Sequence, residues 1–235
     1  MTSNKGVNNI MGRLILSGGG DSEQTLTIDK EFVSFLNTTE PLLYIPIAMD
    51  ANSIPYESCF EWINSVFNPL GIEKISMWTE KDLKGKRVND LVRFSAVYIG
   101  GGNTYSLLKD LHETGFSEVL TEYVENGGIV YGSSAGAIIF GNNIRTCSHN
   151  DRNDVGLDSF NGLDFVKEYS IWCHYNREED HLIHNFVIQN DNPVIALPEE
   201  TALIVEGDHL KVIGSKPAYI FNGSSENVIL PNCTV

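Results

Sequence analysis

The chain lacks any apolar run approaching the roughly 18 residues that a membrane-spanning helix needs. Its first ten residues, rich in Asn and Ser with one Lys, lack the apolar centre of a signal peptide. Both absences point to a soluble, cytoplasmic protein. Residues 1 to 10 are expected to form a disordered leader, and residues 11 to 235 a single α/β domain. Cysteine is scarce: Cys59, Cys147, Cys173 and Cys233 are scattered, with no C-x-x-C pair, which excludes a disulfide framework. Positive charge is also scarce. Sixteen Lys and Arg against 31 Asp and Glu leave a formal charge of -15, which opposes binding to nucleic acid or an anionic membrane. No Cys, His or Asp cluster has metal-ligand spacing, so neither a metal nor a cofactor is expected.

What is present suffices for a core: 42% of the 235 residues are hydrophobic and 10% aromatic. Short β-branched runs recur at Arg13 to Ser17, Leu42 to Pro46, Lys74 to Trp78, Ala96 to Gly100 and Gly128 to Gly132. They alternate with helically spaced segments at Tyr56 to Phe67, Thr104 to His112 and Phe116 to Glu125. This order predicts a mostly parallel sheet flanked by helices on both faces. Beyond about residue 190 the runs Val194 to Leu197, Ala202 to Val205, His209 to Ile213 and Ala218 to Phe221 are separated by turn residues. They predict antiparallel hairpins extending the same sheet.

The segment Gly132-Ser133-Ser134-Ala135-Gly136 fits G-x-S-x-G at a predicted strand-to-helix turn. Small neighbours let the chain turn sharply and lift the Ser134 side chain into a cleft, with the Ala135 amide facing a developing oxyanion. A helix N-cap serine on a glycine turn is the plainer alternative. The cluster Gly100-Gly101-Gly102-Asn103-Thr104 ends the preceding strand and would lie beside Ser134. It matches neither G-x-x-x-x-G-K-[ST] nor G-x-G-x-x-G, which disfavours a phosphate cradle. Gly101 or Gly102 with Ala135 as an oxyanion hole is the better account. Gly18-Gly19-Gly20 are expected to form a flexible loop at the rim.

A serine nucleophile needs a base, and the base an orienting acid. Of six histidines, His112 and His209 are expected at the surface, and His181 and His184 on a charged helical stretch. His174 ends the apolar run Tyr169 to Cys173 and so stands at a strand tip. Asp151, Asp154 and Asp158 all fall in the polar loop between Ser134 and His174, and spacing does not choose among them.

Taken together, G-G-G-N-T, then S-A-G-A, then Ile144-Arg145-Thr146 with Asn150-Asp151, then a strand ending in His and an aromatic, resemble the peptidase E (α-aspartyl dipeptidase) family. That family is related to cyanophycinase and has the class I glutamine amidotransferase-like fold. The likeness runs from about Leu14 to Tyr219. It implies Ser134 as nucleophile, His174 as general base and Asp151 as third member. It further implies an oxyanion and substrate turn at Gly101, Gly102, Asn103 and Thr104, and a substrate-carboxylate contact at Arg177. The implied reaction is hydrolysis of Asp-X dipeptides through an acyl-enzyme, with no metal, by a monomer or homodimer. A cyanophycinase-like β-aspartyl peptidase and a non-catalytic member binding a small anion are the rivals.

Overall fold

The structure, a computed structural model, describes residues 12–235. The expected leader, residues 1 to 10, lies outside the described residues. In chain order the elements are β1 (Arg13–Ser17), α1 (Leu26–Ser34), β2 (Leu42–Ile45), α2 (Tyr56–Phe67), β3 (Ile75–Met77), α3 (Glu80–Leu83), α4 (Val88–Leu91) and β4 (Ala96–Ile99). There follow α5 (Thr104–Thr114), α6 (Phe116–Glu125), β5 (Ile129–Ser133), α7 (Ala135–Ile138), β6 (Ser170–Cys173), α8 (Asp180–Asn190), β7 (Val194–Leu197), β8 (Thr201–Glu206), β9 (His209–Gly214), β10 (Ala218–Asn222) and β11 (Ser225–Ile229). No described helix is long and apolar enough to cross a membrane.

Seven strands form the larger sheet in the order β3-β2-β4-β5-β1-β8-β9. The first five run parallel, and β8 and β9 close the edge antiparallel. The continuous apolar character of β2 and β4 follows from cover on both faces, since every residue of both strands is buried. On one face α2 packs Cys59, Ile63, Val66 and Phe67, a stripe at helical spacing, towards Tyr98 and Tyr131, whose rings stack at 4.6 Å. On the other, α5 buries Leu107, Leu108 and Leu111 and ends at Gly115, whose left-handed backbone (φ 72°) starts α6 directly.

The C-terminal region corrects one expectation. Only β8 and β9 extend the large sheet; β6, β7, β10 and β11 form a second, four-stranded sheet in the order β11-β10-β7-β6. Within it Val194–Leu197 is no hairpin arm but pairs parallel to β6, across α8. That register puts Cys173 opposite Leu197, so the residues following both strands leave at one edge. In the large sheet Ser17 is opposite Ser133, so Gly18 and Ser134 also leave side by side. The two edges meet: the His174 N–H donates to Gly18 O at 2.9 Å and the Ser134 N–H to Ser17 O at 3.0 Å.

Candidate active site

Ser134 stands between β5 and α7 with φ 52° and ψ −113°. A non-glycine residue there costs about 1–3 kcal/mol and persists only where its surroundings enforce it. The enforcement is visible. The Ser134 carbonyl accepts the N–H groups of Ala137 and Ile138, at 2.8 and 2.9 Å, while its own N–H is fixed to Ser17. The turn is tight enough that a Cβ on Gly136 would lie 2.4 Å from Ile99 O. Ser134 Oγ is thereby held 2.8 Å from His174 Nε2.

His174, the first residue past β6, also has a left-handed backbone, φ 55°. Its ring rests on the β1 loop so closely that a Cβ on Gly19 would come within 2.2 Å of Cε1. Gly19 and Gly20 both line the cavity at Ser134. The ring's other nitrogen, Nδ1, is 3.0 Å from Glu199 Oε1. Glu199 Oε2 in turn accepts the Gln24 amide at 2.9 Å. The His174 contact holds the Glu199 carboxyl below the ordinary carboxylate range; the Gln24 bond adds to this and partial burial opposes it. Serine, imidazole and carboxylate thus stand in hydrogen-bonded series, the arrangement that can move a proton off a hydroxyl.

The acid meeting the imidazole is Glu199 and not Asp151. Asp151 Oδ2 accepts the Thr104 N–H at 2.8 Å, at the start of α5, and Asp154 and Asp158 are exposed and line neither cavity described below. Glu199 is two residues past the end of β7, so the rule that singled out His174, a polar residue at a buried strand's C-terminal end, also points to it. Reading that run as a hairpin arm hid the signal.

The loop after β4 lies against the serine: a Cβ on Gly101 would be 3.2 Å from Ser134 Cβ. Among the described residues, the N–H groups of Gly101, Gly102 and Ala135 donate to no carbonyl or side chain. Asn103 is committed to structure, its Oδ1 accepting the Ser106 N–H and its Nδ2 donating to Arg152 O, both at 2.9 Å. Arg177 is also placed elsewhere. A turn capped by Asn176 carries it to an exposed position, where it pairs with Glu226 and Asp180 and lies 4.6 Å over the Tyr219 ring.

Two cavities meet at Ser134, His174 and Gly102. One, of about 480 Å³, is walled by Tyr44, Met49, Ile54, Cys59 and Trp62. The other, of about 340 Å³, is walled by Thr104, Cys147, His149, Asn150, Asp151 and Cys173. Burial first, then the Asp151 charge, pushes the Cys147 thiol up to about 12, and burial raises Cys173 further. Neither thiol supplies a competing thiolate at neutral pH. Among the described residues no group of three or more His, Cys, Asp or Glu is placed to hold a metal ion.

The chain is similar to known proteins over most of its length. The model of peptidase family S51 matches residues 14–213. A peptidase E from Shewanella denitrificans is 30% identical over 211 residues, covering 85% of this chain and 86% of that protein. A peptidase E from Nostoc sp. is 30% identical over 209 residues, covering 84% and 82%. The solved structure of a peptidase from an acI-B1 Actinobacterium matches with a TM-score of 0.72 at 21% identity over 97% of each chain, a likeness of fold.

Proposed function

The chain belongs to peptidase family S51, and from that premise we propose that it is a serine-type peptidase of short peptides, with Ser134 as nucleophile, His174 as base and Glu199 as orienting acid. The observation that carries the reading is the series of 2.8 and 3.0 Å contacts joining Ser134 Oγ, His174 and Glu199. As Oγ bonds to the peptide carbonyl carbon, its proton passes to His174 Nε2. Glu199, accepting Nδ1–H, fixes the tautomer that leaves Nε2 free and stabilises the imidazolium. The unpartnered N–H groups of Gly101 or Gly102 and of Ala135 face the oxyanion. The carbon–nitrogen bond then breaks, the leaving amine takes the proton from Nε2, and water, deprotonated by His174, releases the acyl group.

The finer expectation, an N-terminal aspartate on a dipeptide, follows from the family resemblance, and Arg177, its implied carboxylate contact, is exposed and pairs with Glu226. Peptide hydrolysis itself does not depend on that contact. A serine-reactive fluorophosphonate is expected to label Ser134, and Ser134→Ala to lose both labelling and at least about a thousandfold in kcat. An unlabelled wild-type protein that hydrolyses no short peptide would move the non-catalytic, anion-binding reading to the front.

A further inference from the structure

Glu199 sits on the turn Pro198-Glu199-Glu200 after β7, and its side chain is 40% exposed. A carboxylate so placed has rotamers that face water, and ordering it towards His174 Nδ1 costs side-chain entropy that some contact must offset. The contact comes from the turn after β1. Gln24 Nε2 donates to Glu199 Oε2 at 2.9 Å, which leaves Oε1 for the imidazole. The other end of the same amide is also fixed, because Gln24 Oε1 accepts the Asp21 N–H at 2.8 Å. An amide bound at both its oxygen and its nitrogen is held in one orientation. Gln24 is among the described lining residues of neither cavity that meets at Ser134. Resting on the serine-peptidase reading above, we propose that Gln24 is a positioning residue of the relay, acting through Glu199 by keeping its carboxylate in line with His174.

The turn that carries Gln24 is anchored along its length. Ser17, fully buried at the end of β1, accepts the Gly19 N–H on its hydroxyl at 3.2 Å, while its carbonyl takes the Ser134 N–H at 3.0 Å. Further on, Asp21 Oδ1 accepts the N–H groups of Glu23 and Gln24 at 2.9 and 3.0 Å. A Cβ on Gly20 would come within 3.1 Å of Gln24 Oε1. One segment thus rests against the imidazole at Gly19 and grips the carboxylate at Gln24. The charged groups beside Glu199 are Glu200, which the Gln24 amide also reaches, and Lys216. These two pair with each other at 3.2 Å, and Glu200 takes the Ser215 hydroxyl at 2.7 Å. The choice of side chain at position 24 follows from charge. A lysine there would compete with the imidazolium for Glu199, and a carboxylate would repel it; a neutral amide orients the acid without neutralising it.

The test measures the rate of fluorophosphonate labelling of Ser134, which reports activation of the hydroxyl whatever peptide is preferred, together with kcat and KM on a cleaved dipeptide. Gln24→Glu is the discriminating variant. It keeps the size of the side chain and an oxygen for the Asp21 N–H, but sets a carboxylate against Glu199 in place of a donor. Labelling and kcat are expected to fall at least about tenfold through misplacement of the relay, with KM within about twofold of wild type. Gln24→Met, which keeps the length and loses the amide, should cost a similar factor. In a Glu199→Gln background either substitution should change the labelling rate less than about twofold, because the two residues act as one unit. If either variant fails to fold, the other carries the same comparison. Labelling at the wild-type rate, a loss carried by KM, or a loss of equal size in both backgrounds assigns Gln24 to the scaffold alone and overturns the inference while leaving the serine reading intact. A wild-type protein that is neither labelled nor active on any short peptide overturns the serine reading, and the inference with it.

Discussion

Two carboxylates in different parts of the molecule respond to their surroundings in opposite ways. Glu199 stands at the meeting edge of the two sheets, partly open to solvent, with an imidazole on one oxygen and an amide on the other. Asp29 lies in α1 against the large sheet, 2% exposed, its carboxyl bonded among the described residues to the hydroxyls of Thr25 and Tyr131. The first is held below the usual carboxylate range; burial lifts the second to about 6, against the two hydroxyl bonds. Two hydroxyl dipoles do not repay the desolvation of a charge, whereas a chargeable partner at the water's edge does. Glu199 is therefore equipped to stay ionised and hold a proton donor, and Asp29 to fill a polar gap in a core.

The widest separation is expected from Glu199→Gln. Stopped assays on a cleaved dipeptide should show kcat lower by about a thousandfold, because an amide can hold the imidazole in the wrong tautomer, while thermal unfolding barely moves. Asp151→Asn in the same assay should cost kcat less than about tenfold; a larger loss for Asp151 than for Glu199 would reverse the assignment of the acid. Next in size is Gly19→Ala, which pushes a methyl group into the His174 ring at a left-handed position (φ 103°). It is expected to reduce kcat about a hundredfold through displacement of the base, with fluorophosphonate labelling of Ser134 slowed in proportion.

The smallest effect lies on the Asp29 side and is read in stability alone. An acid whose folded pKa is raised adds stability that is complete below its unfolded value, near 4, and is lost as pH rises through the folded value, about 6. Two units correspond to roughly 2–3 kcal/mol. Asp29→Asn should abolish that loss, so urea midpoints of variant and wild type diverge above pH 6 in the variant's favour, with kcat unchanged. Glu199 carries the opposite sign: its contribution is present above the unfolded value and disappears as pH falls through the lowered folded one. A flat stability profile for wild type between pH 4 and 6 would count against the burial argument for Asp29.

The difference between the regions also marks what was readable in the amino-acid order. The parallel half is written locally: β1 as Arg13–Ser17, α2 as Tyr56–Phe67 and α6 as Phe116–Glu125 follow from short-range spacing, and the Ser134 turn from its small residues. His174 was legible because a polar residue interrupts a buried run at its end. The second sheet was not, since β6 pairs with β7 only across α8, and a four-residue apolar run such as Val194–Leu197 has no periodicity that separates a parallel partner from a hairpin arm. Missing that pairing concealed Glu199. The surface pairing of Arg177 was hidden for a related reason: its partner Glu226 belongs to β11, a polar edge strand without an apolar pattern.

The register that joins β6 to β7 has a consequence in time. Synthesis runs from the N-terminus, and the serine turn with its glycine loops is made from residues up to 138, well before β7 has been translated. The strand that presents Glu199 is further braced by β10, which ends at Asn222. A nascent chain on the ribosome thus carries its hydroxyl but not the relay that would activate it. On the proposed serine-peptidase reading, hydrolytic competence arrives with the last strands, which makes onset of labelling during translation a clock for completion of the fold.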